Sequence, residues 1–207
     1  TGLPHGRTVL QADALTGGPD NTNPVIRDFS LRLTGPERVA IAGANGAGKT
    51  SLLRLLTGDL SPVSGTAQIH VPYALLDQTI GLLDPALSIA DNFRALNPQA
   101  QNNTVRAALA RFMFRADAAL QRVGTLSGGE ILRAGLACTI GGEQPPQLLV
   151  LDEPTNHLDI DAIEQLEAGL RGYDGALLVV SHDADFLAAI DIDRTIVLGQ
   201  PPTMNPN

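Results

Sequence analysis

Apolar positions along this chain follow two rhythms. Phe29, Leu31 and Leu33 alternate with Ser30 and Arg32, a period of two that predicts a strand with one buried face. Thr8–Leu15 alternates more loosely and predicts a second strand, followed by a turn-rich stretch over 17–24. Val39–Ala42 is a short apolar strand, and Ser51–Leu56 a helical run closed by Gly58. Thr66–Val71 and Tyr73–Leu76 predict two more strands. From about 80 to 145 the rhythm changes. Segments 90–96, 105–112 and 131–140 are alanine-rich and helical, with Phe93, Phe112 and Phe114 as packing residues. Leu148–Leu151 and Ala176–Val180 are then continuous apolar runs, as expected of parallel strands covered on both faces. Ile163, Leu166 and Leu170 mark a helix between them.

The predicted fold is α/β, a mostly parallel sheet preceded by antiparallel strands and interrupted by an inserted helical subdomain. The division is 1–79 and 146–199 for the α/β core, about 80–145 for the helical part, and a disordered tail over 200–207. Composition supports one large domain. The chain has 207 residues, and 43% are hydrophobic, enough for a substantial core. Aromatics are only 3%, so that core is mostly aliphatic.

A net charge of −8 argues against a surface whose main work is gripping nucleic acid. No apolar run approaches about 18 residues and no export signal is visible. Cys138 is the single cysteine, forms no internal disulfide and reads as a small buried hydrophobe. A chain opening on Thr1 reads as a processed product or a piece of something longer.

Candidate chemistry changes the picture most at one residue. The chain has one lysine among 14 basic residues, and it is Lys49, inside Gly43-Ala44-Asn45-Gly46-Ala47-Gly48-Lys49-Thr50. Strand, glycine-rich turn, lysine, hydroxyl and helix in that order make the phosphate-cradling loop. Its glycines let successive N–H groups approach phosphate oxygens, and the following helix adds its positive end. Lys49 reaches the outer phosphates as a point charge, and the Thr50 hydroxyl suits Mg²⁺.

Three more groups fit the same crevice. Asp152 and Glu153 follow the strand 148–151, where ligands bind in such sheets. Asp152 is placed to hold Mg²⁺ and Glu153 to orient or deprotonate an attacking water. His182 follows the strand 176–180 and is placed near a γ-phosphate. Gln78 ends the strand from 73 and is within reach of Mg²⁺ or that water. Separately, Leu126-Ser127-Gly128-Gly129-Glu130 has the spacing of a capping box opening the helix 131–140. Ser127 and Glu130 are explained by that cap. Gly128 and Gly129 weaken a helix and are read instead as an exposed anion site at its start. Asp159 reads as the N-cap of the helix containing Ile163.

Taken together, these motifs resemble an ATP-binding cassette (ABC) nucleotide-binding domain, over about residues 8–198. The resemblance makes 43–51 (through Ser51) the Walker A loop, Gln78 the Q-loop and 126–130 the signature. It makes 148–153 Walker B with Glu153, 156–159 the D-loop and His182 the switch histidine. Leu151–Asp159, with Asn156 and His157, is similar to the ABC-F subfamily of soluble two-cassette proteins, and the absence of a long insertion over 58–90 to a second cassette. The resemblance implies ATP hydrolysis with Mg²⁺ in the cytoplasm, without direct membrane insertion. Cassettes of this kind pair head to tail, so Lys49 and Ser127 would serve different nucleotides. The expected partner is a second ABC cassette, in the parent chain or as a homodimer, and through the parent the ribosome or its RNA. One alternative is the ATPase subunit of an ABC transporter, whose partner is a membrane permease; another is a non-hydrolysing ATP-dependent clamp. The chain departs from the family in one place. Residues 8–28 hold no Tyr, Phe, Trp or His to stack on adenine, and Phe29 fits the core face of its strand.

Overall fold

The structure, a computed structural model, describes residues 1–20, 22–76, 81–156 and 158–199. Gln78, His157 and the tail 200–207 therefore lie outside the described residues.

Two sheets share the chain. The antiparallel one has the order β2-β1-β4, built from β1 (Thr8–Gly17), β2 (Ile26–Thr34) and β4 (Ser64–Ile69). The parallel one has the order β5-β6-β7-β3-β8. Its strands are β3 (Arg38–Ala42), β5 (Tyr73–Leu76), β6 (Leu148–Asp152), β7 (Ala176–Val180) and β8 (Arg194–Val197). Among the described residues, six α-helices connect them: α1 (Lys49–Thr57), α2 (Ile89–Leu96), α3 (Asn102–Arg111), α4 (Gly128–Ile140), α5 (Ile160–Arg171) and α6 (Ala184–Ala189).

The apolar runs at β6 and β7 now have their reason. Leu149, Leu151, Leu177 and Val179 face a cluster formed with residues of α2 to α6, including Phe93, Leu109, Leu136 and Leu166. Leu148, Val150, Leu178 and Val180 face the opposite cluster, shared with α1 and the antiparallel sheet. Every residue of both strands is buried, so neither strand has a polar face to show in the sequence. The helical region shares this core with the sheet rather than packing around one of its own. Phe93, Phe112 and Phe114 are buried in it, as expected, and so is Cys138, whose thiol burial pushes up to about 12.

Residue 29 is half-buried and packs with Leu31 and Leu33 toward the second cluster. Helix α6 and strand β8 were not anticipated. The first is six residues long, and the second is a largely exposed edge strand. The consequence for function is geometric. β3, β6 and β7 are neighbours running in one direction, so the loops that leave their carboxyl ends meet on one side of the sheet.

Candidate active site

The loop after β3 supplies the phosphate cradle. Helix α1 begins at Lys49 with Gly48 as N-cap at φ 90°, a left-handed conformation that glycine adopts without strain. No side chain caps this end. The N–H groups of the first turn therefore keep their capacity to bind an anion, and the helix dipole favours one there. A Cβ on Gly48 would lie 3.1 Å from the side chains of both Val25 and Ile26, so the loop is pressed against the start of β2.

Lys49 is buried although charged. Its Nζ donates to the carbonyl oxygens of Gly43 (2.9 Å) and Ala44 (3.4 Å), and stands 3.5 Å from Glu153 Oε1. These partners compensate the desolvation of an ammonium largely withdrawn from water. Thr50 donates its hydroxyl to Asp152 Oδ2 at 3.0 Å. The end of β6 is thereby tied to the start of α1.

Glu153 lies one residue beyond β6. Its N–H donates to Val180 O at 2.8 Å, so the backbone is anchored on β7. Its φ is 47°, a left-handed value that an L-residue adopts at a cost. This turn brings the carboxylate into the crevice. Oε1 faces Lys49, and Oε2 lies 2.9 Å from His182 Nδ1. Glu153 is buried, whereas the His182 side chain is 62% exposed. The crevice is a hollow of about 670 Å³ that these groups share with Asn45, Asn156, Pro19 and Val25.

The structure thus gathers Lys49, Thr50, Ser51, Glu153 and His182 around one hollow, with Asp152 bonded to Thr50. The expected role of Gln78 falls outside the described residues. Asp159 caps α5, its carboxylate accepting from Ala162 N–H at 2.8 Å. Pro19 and Val25 were missed as lining residues. Their signal was slight, an apolar Val25 between a turn-rich stretch and a strand.

Ser127, Gly128, Gly129 and Glu130 lie elsewhere, in a hollow of about 330 Å³ lined also by Arg133 and Gln165. It shares no lining residue with the first. The capping box is complete. Ser127 Oγ accepts from Glu130 N–H, and Glu130 Oε2 accepts from Ser127 N–H and from its hydroxyl, both at 2.8 Å. The backbone N–H of Ser127, then its hydroxyl, hold the Glu130 carboxyl below its ordinary value.

The two glycines part company here. A Cβ on Gly128 would meet nothing within 4 Å, so that position is open as expected. A Cβ on Gly129 would lie 2.9 Å from Ala162 Cβ. Close contact with α5 is therefore reason enough for Gly129, a role the reading of both as exposed glycines did not include.

Two hard oxygen donors, the Thr50 hydroxyl and the Asp152 carboxylate, converge beside an uncapped helix start. That donor set fits Mg²⁺, which takes few protein ligands and completes its shell with waters and phosphate oxygens. No group of three or more His, Cys, Asp or Glu placed to hold a metal ion occurs among the described residues.

Comparison with known proteins decides the family. The sequence profile of the ABC transporter family matches residues 26–156. The chain belongs to the ABC family. It is accordingly an ATPase cassette. It is 38% identical to the putative ATP-binding protein YdiF of Bacillus subtilis over 89% of its length, covering 29% of that protein. It is 37% identical to the probable ATP-binding protein YheS of Haemophilus influenzae, over 86% of its length and 28% of that protein. With the ATP-binding protein Uup of Escherichia coli the identity is 38%, over 85% and 28%. Relatives of this type are ABC-F proteins, in agreement with the motif around Asn156. The chain spans less than a third of their length.

Among solved structures, the fold resembles a bacterial Atm1-family ABC exporter with ATP bound (TM-score 0.76, 23% identity, 95% of this chain and 38% of that one). It also resembles a putative metal-chelate type ABC transporter in an inward-facing conformation (TM-score 0.74, 24% identity, 93% and 80%). Among the described residues, no helix of this chain is long and apolar enough to cross a membrane.

Proposed function

We propose that this cassette hydrolyses ATP only when paired head to tail with a second cassette. One observation carries this reading: the phosphate cradle and the signature occupy separate hollows with no residue in common. Each hollow offers half of a nucleotide site. Phosphate groups enter against the free N–H groups of α1, and Lys49 exchanges its loop carbonyls for phosphate oxygens. Thr50 and Asp152 would hold Mg²⁺, with Gln78 assigned to the same ion by resemblance. When bound, that ion supplies charge neutralisation on the phosphates. Glu153 accepts a proton from the attacking water, and His182 orients the carboxylate through its 2.9 Å contact. Ser127 and Gly128 face the partner's nucleotide, beyond the open side of Gly128.

The same reading keeps residues 1–79 and 146–199 as the α/β core and about 80–145 as the helical part, supported by the placement of α2 to α4. The parent is an ABC-F protein working in the cytoplasm on the ribosome, and its other cassette is the natural partner. Its support is the kinship with Uup- and YheS-type proteins. Light scattering tests the pairing. Glu153→Gln with ATP and Mg²⁺ doubles the mass of the chain, while the nucleotide-free wild type stays monomeric. A Glu153→Gln chain that remains monomeric at saturating ATP defeats the reading. Co-sedimentation of the full-length parent with ribosomes, in the same variant, tests the assignment to translation.

A further inference from the structure

The starts of α4 and α5 are locked at two levels. At the first turn, Gly129 and Ala162 approach so closely that a Cβ on Gly129 would sit 2.9 Å from Ala162 Cβ. One turn further along both helices, Arg133 donates a guanidinium N–H to the side-chain oxygen of Gln165. The central carbon of that guanidinium lies over the Phe114 ring, 4.8 Å from its centroid. Phe114 is itself buried in the core beyond α3. Glu130 stands one turn back on α4, between Arg133 and the cap residue Ser127. Glu130 in turn binds the Ser127 hydroxyl.

We propose that Arg133 and Gln165 form a positioning pair that fixes the signature against the catalytic side of the same chain. The inference rests on the head-to-tail reading above. α5 leaves the stretch that carries Glu153, Asn156 and Asp159, and its first turn holds Ala162 against Gly129. α4 carries the half-site offered to a partner's nucleotide. Arg133, held by Gln165 and Phe114, sets the angle between these helices, so it decides how Ser127 and Gly128 at the start of α4 are presented. An arginine suits the task because one group both sets its charge over the Phe114 ring and donates to Gln165. A lysine keeps the charge but loses the fixed direction.

The test compares Arg133→Lys, Arg133→Ala and Gln165→Ala in two settings. In the Glu153→Gln background, ATP-driven dimerisation is followed by light scattering against protein concentration. In the wild-type background, binding of fluorescent ADP to the monomer and the ATPase rate are measured. Each change is expected to leave ADP binding at the Lys49 loop intact. Each raises the concentration for half-dimerisation, for Arg133→Ala on the order of tenfold, as for a contacting pair. ATPase activity returns at high protein concentration, which a merely loosened fold would not allow. The double change Arg133→Ala with Gln165→Ala is no worse than Arg133→Ala alone. Unchanged dimerisation of Arg133→Ala, while the Glu153→Gln parent dimerises, overturns the proposal. A parent that fails to dimerise overturns the head-to-tail reading instead, and the proposal with it. If Arg133→Ala does not fold, Arg133→Lys and Gln165→Ala decide alone, and normal dimerisation of both overturns the proposal.

Discussion

Glu153 Oε2 lies 2.9 Å from His182 Nδ1, although the two residues follow different strands, β6 and β7. The same carboxylate presents its other oxygen to Lys49. The proposed base, orienting group and phosphate-binding cation thus form one chain of contacts. Glu153→Gln and His182→Ala are each expected to lower kcat on the order of 10²-fold or more while nucleotide still binds. Groups acting as a unit are not additive, so the double variant falls no further than Glu153→Gln alone. Steady-state kinetics at saturating ATP checks this; a double variant that loses the product of the two effects would separate the residues.

Gly128 and Gly129 separate stability from function. Gly129→Ala forces Ala162 aside and is expected to cost about 1–3 kcal/mol of overpacking. Gly128→Ala adds a methyl to open space in the first turn of a helix and keeps or slightly raises the melting temperature. It nevertheless weakens ATP-driven dimerisation, because the methyl projects where a partner's nucleotide is received. Thermal denaturation and light scattering on both variants read the two effects apart.

The capping box makes a prediction in acid. Glu130 has a folded-state pKa below its ordinary 4.5. Its stabilising contribution is therefore present above about pH 4.5 and is lost as pH falls through the lower, folded value. Ser127→Ala removes the side-chain cap and costs about 1 kcal/mol at neutral pH. Glu130→Gln flattens the acid limb of a plot of melting temperature against pH. An acid limb unchanged in that variant would assign the sensitivity to another carboxylate.

Base recognition follows from what flanks the cradle. Residues 8–28 contain no aromatic side chain and no histidine. At the crevice the apolar neighbours are Pro19 and Val25, the latter 47% exposed. Neither side chain carries a hydrogen-bonding group to tell the edge of adenine from that of guanine. ATP and GTP are expected to compete with similar affinity for the Lys49 site. A strong preference for ATP in a competition titration would show that another group reads the base.

Much of this was legible because local chemistry and burial coincide. β6 and β7 are buried on both faces, so their apolar runs stand out, and Gly58 marks the end of α1 with a left-handed cap. Lys49, Thr50, Asp152, Glu153 and His182, the candidate residues that the structure brings together, stand out because each sits at the end of such an element. β8 left no such trace, since Arg194 and Thr195 are exposed on an edge strand. The role of Gly129 depends on Ala162, and that of Arg133 on Gln165, each some thirty residues away on another helix. Such contacts between helices carry no local pattern. The left-handed turn at Glu153 is equally invisible, because only the anchor on Val180 reveals it.

Complementation between two inactive chains tests the split site most directly. Lys49→Ala removes the phosphate-binding cation and leaves the signature intact. Gly128→Asp sets a carboxylate where a phosphate is received and leaves the cradle intact. Each chain alone is expected to hydrolyse no ATP. In the mixture, Lys49 of the second chain and Ser127 of the first complete one site, and ATPase activity reappears. A mixture as inactive as its components, at concentrations where the wild type turns over, would contradict the account.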